Sequence, residues 1–148
     1  MKTWTPKNPD FKAFVEKKLE GQELMKRLNI SLTKIEAGYI EAQIPFELMH
    51  QQQDGFVHGG VTGAVADIVS GFAAYSLVSK NEQVVTADIR TSYFRPGVEK
   101  TIFAKGWVVK PGQNFFFCEA EVFMLMEDGS TKEIARSSST MAVIKPKA

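Results

Sequence analysis

HGGVTGAVADIVSGFAAYSLVSK, residues 58–80, is the stretch whose reading decides the fold. Between His58 and Lys80 it is small, apolar and uncharged except at Asp67. A helix with so few polar positions on any face is expected to be buried on all sides. Its extent is about 58–79, and roughly 20 residues at 1.5 Å each give a length of about 30 Å. A membrane span is the competing reading. Thr62, Asp67, Ser70, Ser76 and the nearby glycines make the segment a poor lipid-facing helix, so we expect no membrane association.

Upstream, Leu48 to Val57 is polar, with Gln51-Gln52-Gln53 and Asp54-Gly55, and reads as a loop. Before it, Ile40, Ala42, Ile44 and Phe46 alternate with Tyr39, Glu41, Gln43 and Pro45, the period-2 pattern of a half-buried strand. Ile30 to Ile35 followed by Ala37-Gly38 supplies a preceding strand and turn, giving an antiparallel hairpin. Further upstream, Asp10 is placed to cap a helix from Phe11 to about Leu28, which Gly21 can break in two.

Downstream of the helix the pattern is strands to the end. Val85, Ala87, Ile89, Thr91 and Tyr93 alternate with Thr86, Asp88, Arg90 and Ser92. After a turn at Arg95-Pro96-Gly97 come Thr101 to Val109, a strand around Phe116 to Val122, and Thr131 to Ile144. Consecutive strands joined by short turns pair antiparallel. A ten-residue strand is about 33 Å long, close to the helix, so one sheet could wrap it. Spacing alone yields an α+β class.

At 148 residues the chain fits one domain, residues 1–148, with 1–28 as an N-terminal helical extension. Eighteen basic against seventeen acidic residues argue against a broad nucleic-acid-binding face. Cys118 is the only cysteine, so neither an internal disulfide nor a Cys-based zinc site is expected. His50 and His58 are not at a ligand spacing, and no metal or cofactor is expected. The N-terminus lacks the apolar run of a signal peptide, and together these features suggest a reducing, cytoplasmic setting.

Asp67 carries the chemical interest. A carboxylate inside an apolar helix is costly unless it is paired or opens onto a cleft. It is either a structural, hydrogen-bonded group or a desolvated base. Gly59 and Gly60 open the helix, where unpaired N–H groups and the helix dipole can polarise a carbonyl. They could equally permit a tight loop-to-helix entry. His58 can orient the loop or donate a hydrogen bond, and more often such a histidine is structural. Asp67 stands eight residues beyond Gly59, about 12 Å along one helix, whereas a nucleophile must come within about 3 Å of the carbonyl it attacks. If both groups serve one site, two antiparallel helices of a two-fold dimer must supply them.

The block GFVHGGVTGAVADIVSGFAA, the later YFRPG and the ending EDGS…IARSSSTMAVI together resemble the PaaI-like (phenylacetate-pathway) acyl-CoA thioesterases of the hot-dog superfamily. The likeness runs from about residue 30 to the end. It implies a hot-dog fold, an acyl-CoA substrate hydrolysed without a metal, and homotetramers built from dimers with shared sites. It implies that the Gly59 N–H polarises the thioester carbonyl and that Asp67 is base or nucleophile. Gln52 falls where an Asn or Gln positions the thioester or water, although Gln51 or Gln53 could face the site instead. Thr86 falls where a Ser or Thr holds the water. In the period-2 reading, however, Thr86 shares a strand face with Asp88 and Arg90 and could belong to a polar network there.

CoA phosphates would need cations, for which Arg90, Arg95, Lys100, Lys105 and Arg136 are candidates, with His58 and Gly60 near the thioester. Phe56, Phe72 and Tyr75 could line an acyl pocket or pack the core. Neither the catalytic His with an acidic partner nor the Asp…His hydratase motif of acyl-thioester dehydratases is found. A non-catalytic acyl-CoA-binding or regulatory protein is the alternative, and it requires Asp67 to be structural.

Overall fold

The computed structural model describes residues 2–146. Two short helices, α1 (Phe11–Leu19) and α2 (Glu23–Arg27), precede a hairpin of β1 (Ser31–Glu36) and β2 (Tyr39–Pro45). The long helix α3 (Gly59–Tyr75) follows. Then come β3 (Gln83–Tyr93), β4 (Thr101–Lys110), β5 (Phe115–Leu125) and β6 (Thr131–Ile144). The strands form one antiparallel sheet in the order β1-β2-β4-β5-β6-β3. Helix α3 packs against β2, β4, β5, β6 and β3, five successive neighbours, so the sheet must curve around it. This is the hot-dog fold.

The alternation read from the sequence accounts for the packing. Ile40, Ala42 and Ile44 of β2, Ile102, Ala104 and Val108 of β4, and Phe116, Cys118, Ala120, Val122 and Met124 of β5 are all buried. They meet Val61, Val65, Ala66, Val69, Phe72 and Ala73 of α3. Gly106 fills the remaining inner position of β4. A Cβ there would stand 2.7 Å from the Val69 carbonyl carbon and 2.8 Å from the Ser70 nitrogen. Helix and sheet thus meet backbone to backbone at that point.

Several details depart from the sequence expectation. Helix α3 is 17 residues long, about 25 Å, and stops at Tyr75. Ser76 turns its hydroxyl back to the Ala73 carbonyl at 2.6 Å while accepting the Gly38 N–H at 2.7 Å. The helix end is thereby tied to the β-hairpin. Nor is α3 buried on all sides. Gly63, Ala64, Asp67, Gly71 and Tyr75 form a half-exposed stripe at three- and four-residue spacing. The 11–28 helix divides at Gly21, and Asp10 makes no side-chain cap. Asn8 Oδ1 instead accepts the Asp10 N–H at 3.1 Å, and the Asp10 carboxylate pairs with Lys80.

The turn at Arg95-Pro96-Gly97 does not close a hairpin. It begins a crossover, because β3 pairs with β6 at the sheet edge while β4 pairs with β2. Strand β3 also breaks strict alternation. Thr86 pairs with Met141 and Asp88 with Thr140, which leaves Ala87 as a bulge. The bulge switches the faces, so Val84 and Thr86 before it and Ile89, Thr91 and Tyr93 after it point towards α3. Asp88, Arg90 and Ser92 point away. Among the described residues no helix is long and apolar enough to cross a membrane.

Candidate active site

The site is built outward from Asp67, half-buried at the middle of the exposed stripe of α3. Its Oδ1 accepts a hydrogen bond of 2.7 Å from the Thr86 hydroxyl. The bulge at Ala87 makes this possible by turning Thr86 inward, away from the face of Asp88 and Arg90. Thr86 Oγ1 also lies 3.5 Å from the Met141 sulfur, which fixes the hydroxyl between strand and helix. Only Oδ1 is held in this way; among the described residues Oδ2 has no donor. The carboxylate is thus oriented through one oxygen and free at the other.

At the start of α3, His58 is the N-cap in extended conformation, and its Nδ1 accepts the Gly60 N–H at 2.8 Å. The His58 carbonyl takes the N–H groups of Val61 and Thr62 at 2.9 and 3.2 Å. Of the first-turn donors, this leaves the Gly59 N–H without an acceptor among the described residues. Gly60 and His58 therefore satisfy each other, and the free positive end of the helix is concentrated at Gly59. Tyr93, which sequence reasoning passed over, donates to the Gly59 carbonyl at 2.9 Å. Its ring would lie 3.5 Å from a Cβ at Gly59. The only signal for it was its place at the head of the YFRPG segment.

Gly59 opens into a cleft of about 400 Å³ whose wall includes Gln52, Phe56, Thr62, Tyr93 and Arg95. This separates the three glutamines: Gln52 lines the cleft, whereas Gln51 and Gln53 do not. Gln52 Oε1 accepts the Asp54 N–H, which leaves its NH2 group as the donor. Arg95 lies in the same wall with NH1 donating to the Glu133 carbonyl at 2.6 Å. Asp67 and Thr86 do not line this cleft. Within one chain the structure therefore gathers Gln52, Gly59 and Arg95 in one place and Asp67 with Thr86 in another.

The remaining candidates are dispersed. Arg90 lies on the outer face of the sheet beside Asp88, Glu119 and Ser138. Lys105 and Arg136 both bind the Glu121 carboxylate, at 2.9 and 2.8 Å, and Lys100 pairs with Glu127. Phe72 belongs to the core, Tyr75 packs on Phe14 and Phe72, and Phe56 alone of the three reaches the Gly59 cleft. His50 is fully buried: its Nδ1 accepts the Glu47 N–H at 2.9 Å, so Nε2 carries the proton towards the Leu28 carbonyl at 2.8 Å. That histidine is a structural clamp. Cys118 is buried and its thiol is pushed up to about 12 by desolvation, which removes it as a nucleophile at neutral pH.

Comparison with known proteins bears on this geometry. The Thioesterase superfamily model matches residues 54–125, the segment from the Gln52 loop through β5. The proofreading thioesterase EntH of Klebsiella pneumoniae is 29% identical over 73 residues, 49% of this chain and 53% of that protein. The match thus spans about half of that relative's length. A crystal structure of a thioesterase family protein from Silicibacter pomeroyi superposes with a TM-score of 0.89 at 25% identity, covering 92% of this chain and 99% of that one. The PaaI protein of the Escherichia coli phenylacetic acid degradation operon shares the fold, with a TM-score of 0.77 at 18% identity over 89% and 91% of the two chains.

Proposed function

We propose that this chain, whose residues 54–125 match the Thioesterase superfamily model, hydrolyses an acyl-CoA thioester to the free acid and CoA. Asp67 would be general base or nucleophile. The observation that carries the reading is the Thr86–Asp67 hydrogen bond of 2.7 Å on the one uncovered stripe of α3. Asp67 is half-buried and its Oδ2 has no donor among the described residues, so the fold orients the carboxylate without using both of its oxygens. One oxygen is held by Thr86, and the other is left for water or substrate.

The second half of the chemistry is the Gly59 N–H. At about 12 Å from Asp67 along α3 it cannot act on the same thioester within one chain. Two copies of α3, packed antiparallel along their Gly63–Asp67–Gly71 stripes, would bring Gly59 of one subunit to Asp67 of the other. Strand β3 supports such a two-fold arrangement, because its outer edge is unpaired among the described residues and a second β3 could extend the sheet. Pairs of these dimers would make the tetramer.

In that site the thioester carbonyl oxygen accepts from Gly59 N–H, aided by the helix dipole and the Gln52 amide. Asp67 Oδ2 takes a proton from water as the water oxygen bonds to the carbonyl carbon. The tetrahedral intermediate collapses with rupture of the C–S bond, and the thiolate leaves with CoA and takes up the proton. The same geometry permits direct attack by Asp67, with water then cleaving the mixed anhydride. Neither a triad nor a metal is needed for so good a leaving group.

The deciding assay is thiol release from a panel of acyl-CoAs by wild type and Asp67→Asn. The substitution keeps the side-chain shape and removes the base, so kcat is expected to fall by about two orders of magnitude or more. Equal turnover by both proteins would remove Asp67 from the mechanism. Binding without turnover of any acyl-CoA would make this a carrier or sensor.

A further inference from the structure

Strand β3 touches α3 with two side chains that a regular strand could not aim at it together. Thr86 and Tyr93 are seven residues apart, an odd spacing that puts them on opposite faces of an unbroken strand. The bulge at Ala87 removes that difference. Thr86 reaches the Asp67 carboxylate, and Tyr93 reaches the Gly59 carbonyl at 2.9 Å. Tyr93 is 55% exposed, so burial of its ring in the core does not account for its place. It lines the same cleft as Gly59.

Gly59 stands between two peptide planes, and both are held. Upstream, the His58 carbonyl accepts from Val61 and Thr62 at 2.9 and 3.2 Å. Downstream, the peptide joining Gly59 to Gly60 is tied at both ends. Its carbonyl oxygen accepts from Tyr93, and its N–H donates to His58 Nδ1 at 2.8 Å. Glycine has more backbone freedom than any other residue, so an N–H at a first-turn glycine keeps its direction only when its neighbours are tied. His58, Val61 and Thr62 belong to the turn itself and move with it. Tyr93 anchors that turn to the sheet.

The helix surface leaves room for this contact. Tyr93 Cε1 lies 3.5 Å from where a Gly59 Cβ would stand, and its hydroxyl oxygen lies 3.3 Å from the equivalent point at Gly63. Two glycines one turn apart thus give the ring a seat against α3. We propose that Tyr93 is a positioning residue: its hydroxyl fixes the direction of the Gly59 N–H, so that this donor meets the thioester oxygen as negative charge develops there. The inference rests on the thioesterase reading for the use of the N–H and on the Tyr93–Gly59 bond for its direction. Tyr93 acts within the subunit that carries Gly59, whichever subunit supplies the carboxylate.

The test is Tyr93→Phe in the full-length protein, with Thr91→Val as the control. The first keeps the ring and removes the hydroxyl. The second deletes another hydroxyl of β3, one that bonds Ser137 Oγ at 2.8 Å rather than the helix. Removing an oxyanion donor outright costs about 10²–10³ in kcat, and loosening its direction should cost about tenfold. Thiol release from an acyl-CoA should show that fall in Tyr93→Phe with KM unchanged, because the donor is used in the transition state. Thr91→Val should keep kcat. The 15N order parameter of the Gly59 amide should drop in Tyr93→Phe from about 0.85 towards about 0.6, and hold in Thr91→Val. Undiminished turnover by Tyr93→Phe, an unchanged Gly59 amide, or an equal loss of kcat in Thr91→Val would each overturn the proposal and leave the hydrolase reading intact. A loosened Gly59 amide in a protein that hydrolyses no acyl-CoA would leave Tyr93 fixing Gly59 and remove the hydrolase reading instead.

Discussion

Thr86 shows how much of a site depends on one hydrogen bond. It holds Asp67 by a single oxygen, and Thr86→Val keeps the shape of the side chain while deleting the donor. We expect kcat to fall about tenfold with the melting temperature nearly unchanged, as measured by thiol release and thermal denaturation on the same preparation. A drop in melting temperature without loss of rate would assign the bond to stability alone. Asp67 itself was legible in the sequence, because one carboxylate in an uncharged run of about 20 residues cannot be ignored energetically. The role proposed for Thr86 entered only through family likeness. Strict alternation placed it with Asp88 and Arg90, and the bulge that frees it leaves no local mark at Ala87. Glu82 gives the residue scale a pH signature. The Ser79 backbone N–H, with help from Lys7, holds its carboxyl below the usual carboxylate range despite burial. A depressed folded-state value means the contribution is present above the unfolded value of about 4.3 and is lost as pH falls through the folded one. Glu82→Gln should therefore reduce stability at pH 7 and narrow its gap to wild type as the pH is lowered below 4, read from denaturant melts at each pH.

Among the elements, the closeness of α3 to β4 sets where everything on the stripe can stand. Gly106→Ala would drive a methyl group into the backbone between Val69 and Ser70, and neither backbone atom is a flexible chain end. The helix must lift, which should cost about 1–3 kcal/mol in a urea melt. The same lift should lengthen the Thr86–Asp67 contact, so activity below the melting range should fall as well. Unchanged stability would mean that helix and sheet are less tightly apposed than the structure has them. The strands of this layer were readable because β2, β4 and β5 each bury one face, and period-2 spacing reports that directly. The order of the strands was not readable. Whether Arg95-Pro96-Gly97 closes a hairpin or starts a crossover depends on β6, about 40 residues later, offering β3 its pairing edge. The length of α3 was overestimated for a similar reason: Ser76 and Leu77 look helical by composition, but Gly38 and Lys7 take their hydroxyl and carbonyl.

At the scale of the whole molecule, if Gly59 and Asp67 serve one thioester, their separation along α3 requires a second subunit. Within the chain, Gly59 shares a cleft with Gln52 and Arg95 while Asp67 stands on the open stripe with Thr86. Each half lacks what the other has. If two subunits complete one site, two inactive proteins must rescue each other. Asp67→Asn lacks the base but keeps Gly59. Gly59→Val keeps Asp67 but fills the place where the carbonyl must approach the N–H. Each should be nearly inactive alone. After mixing and subunit exchange, half of the dimers are mixed, and each has one site with both lesions and one with neither. The expected recovery is about a quarter of wild-type activity. It should appear at the rate of subunit exchange, followed by mass spectrometry of differently labelled chains. Recovery would fix the site between subunits and, with it, the antiparallel pairing of α3. Complete exchange without recovery would place Gly59 and Asp67 in separate roles and require the oxyanion donor to be sought on the stripe itself.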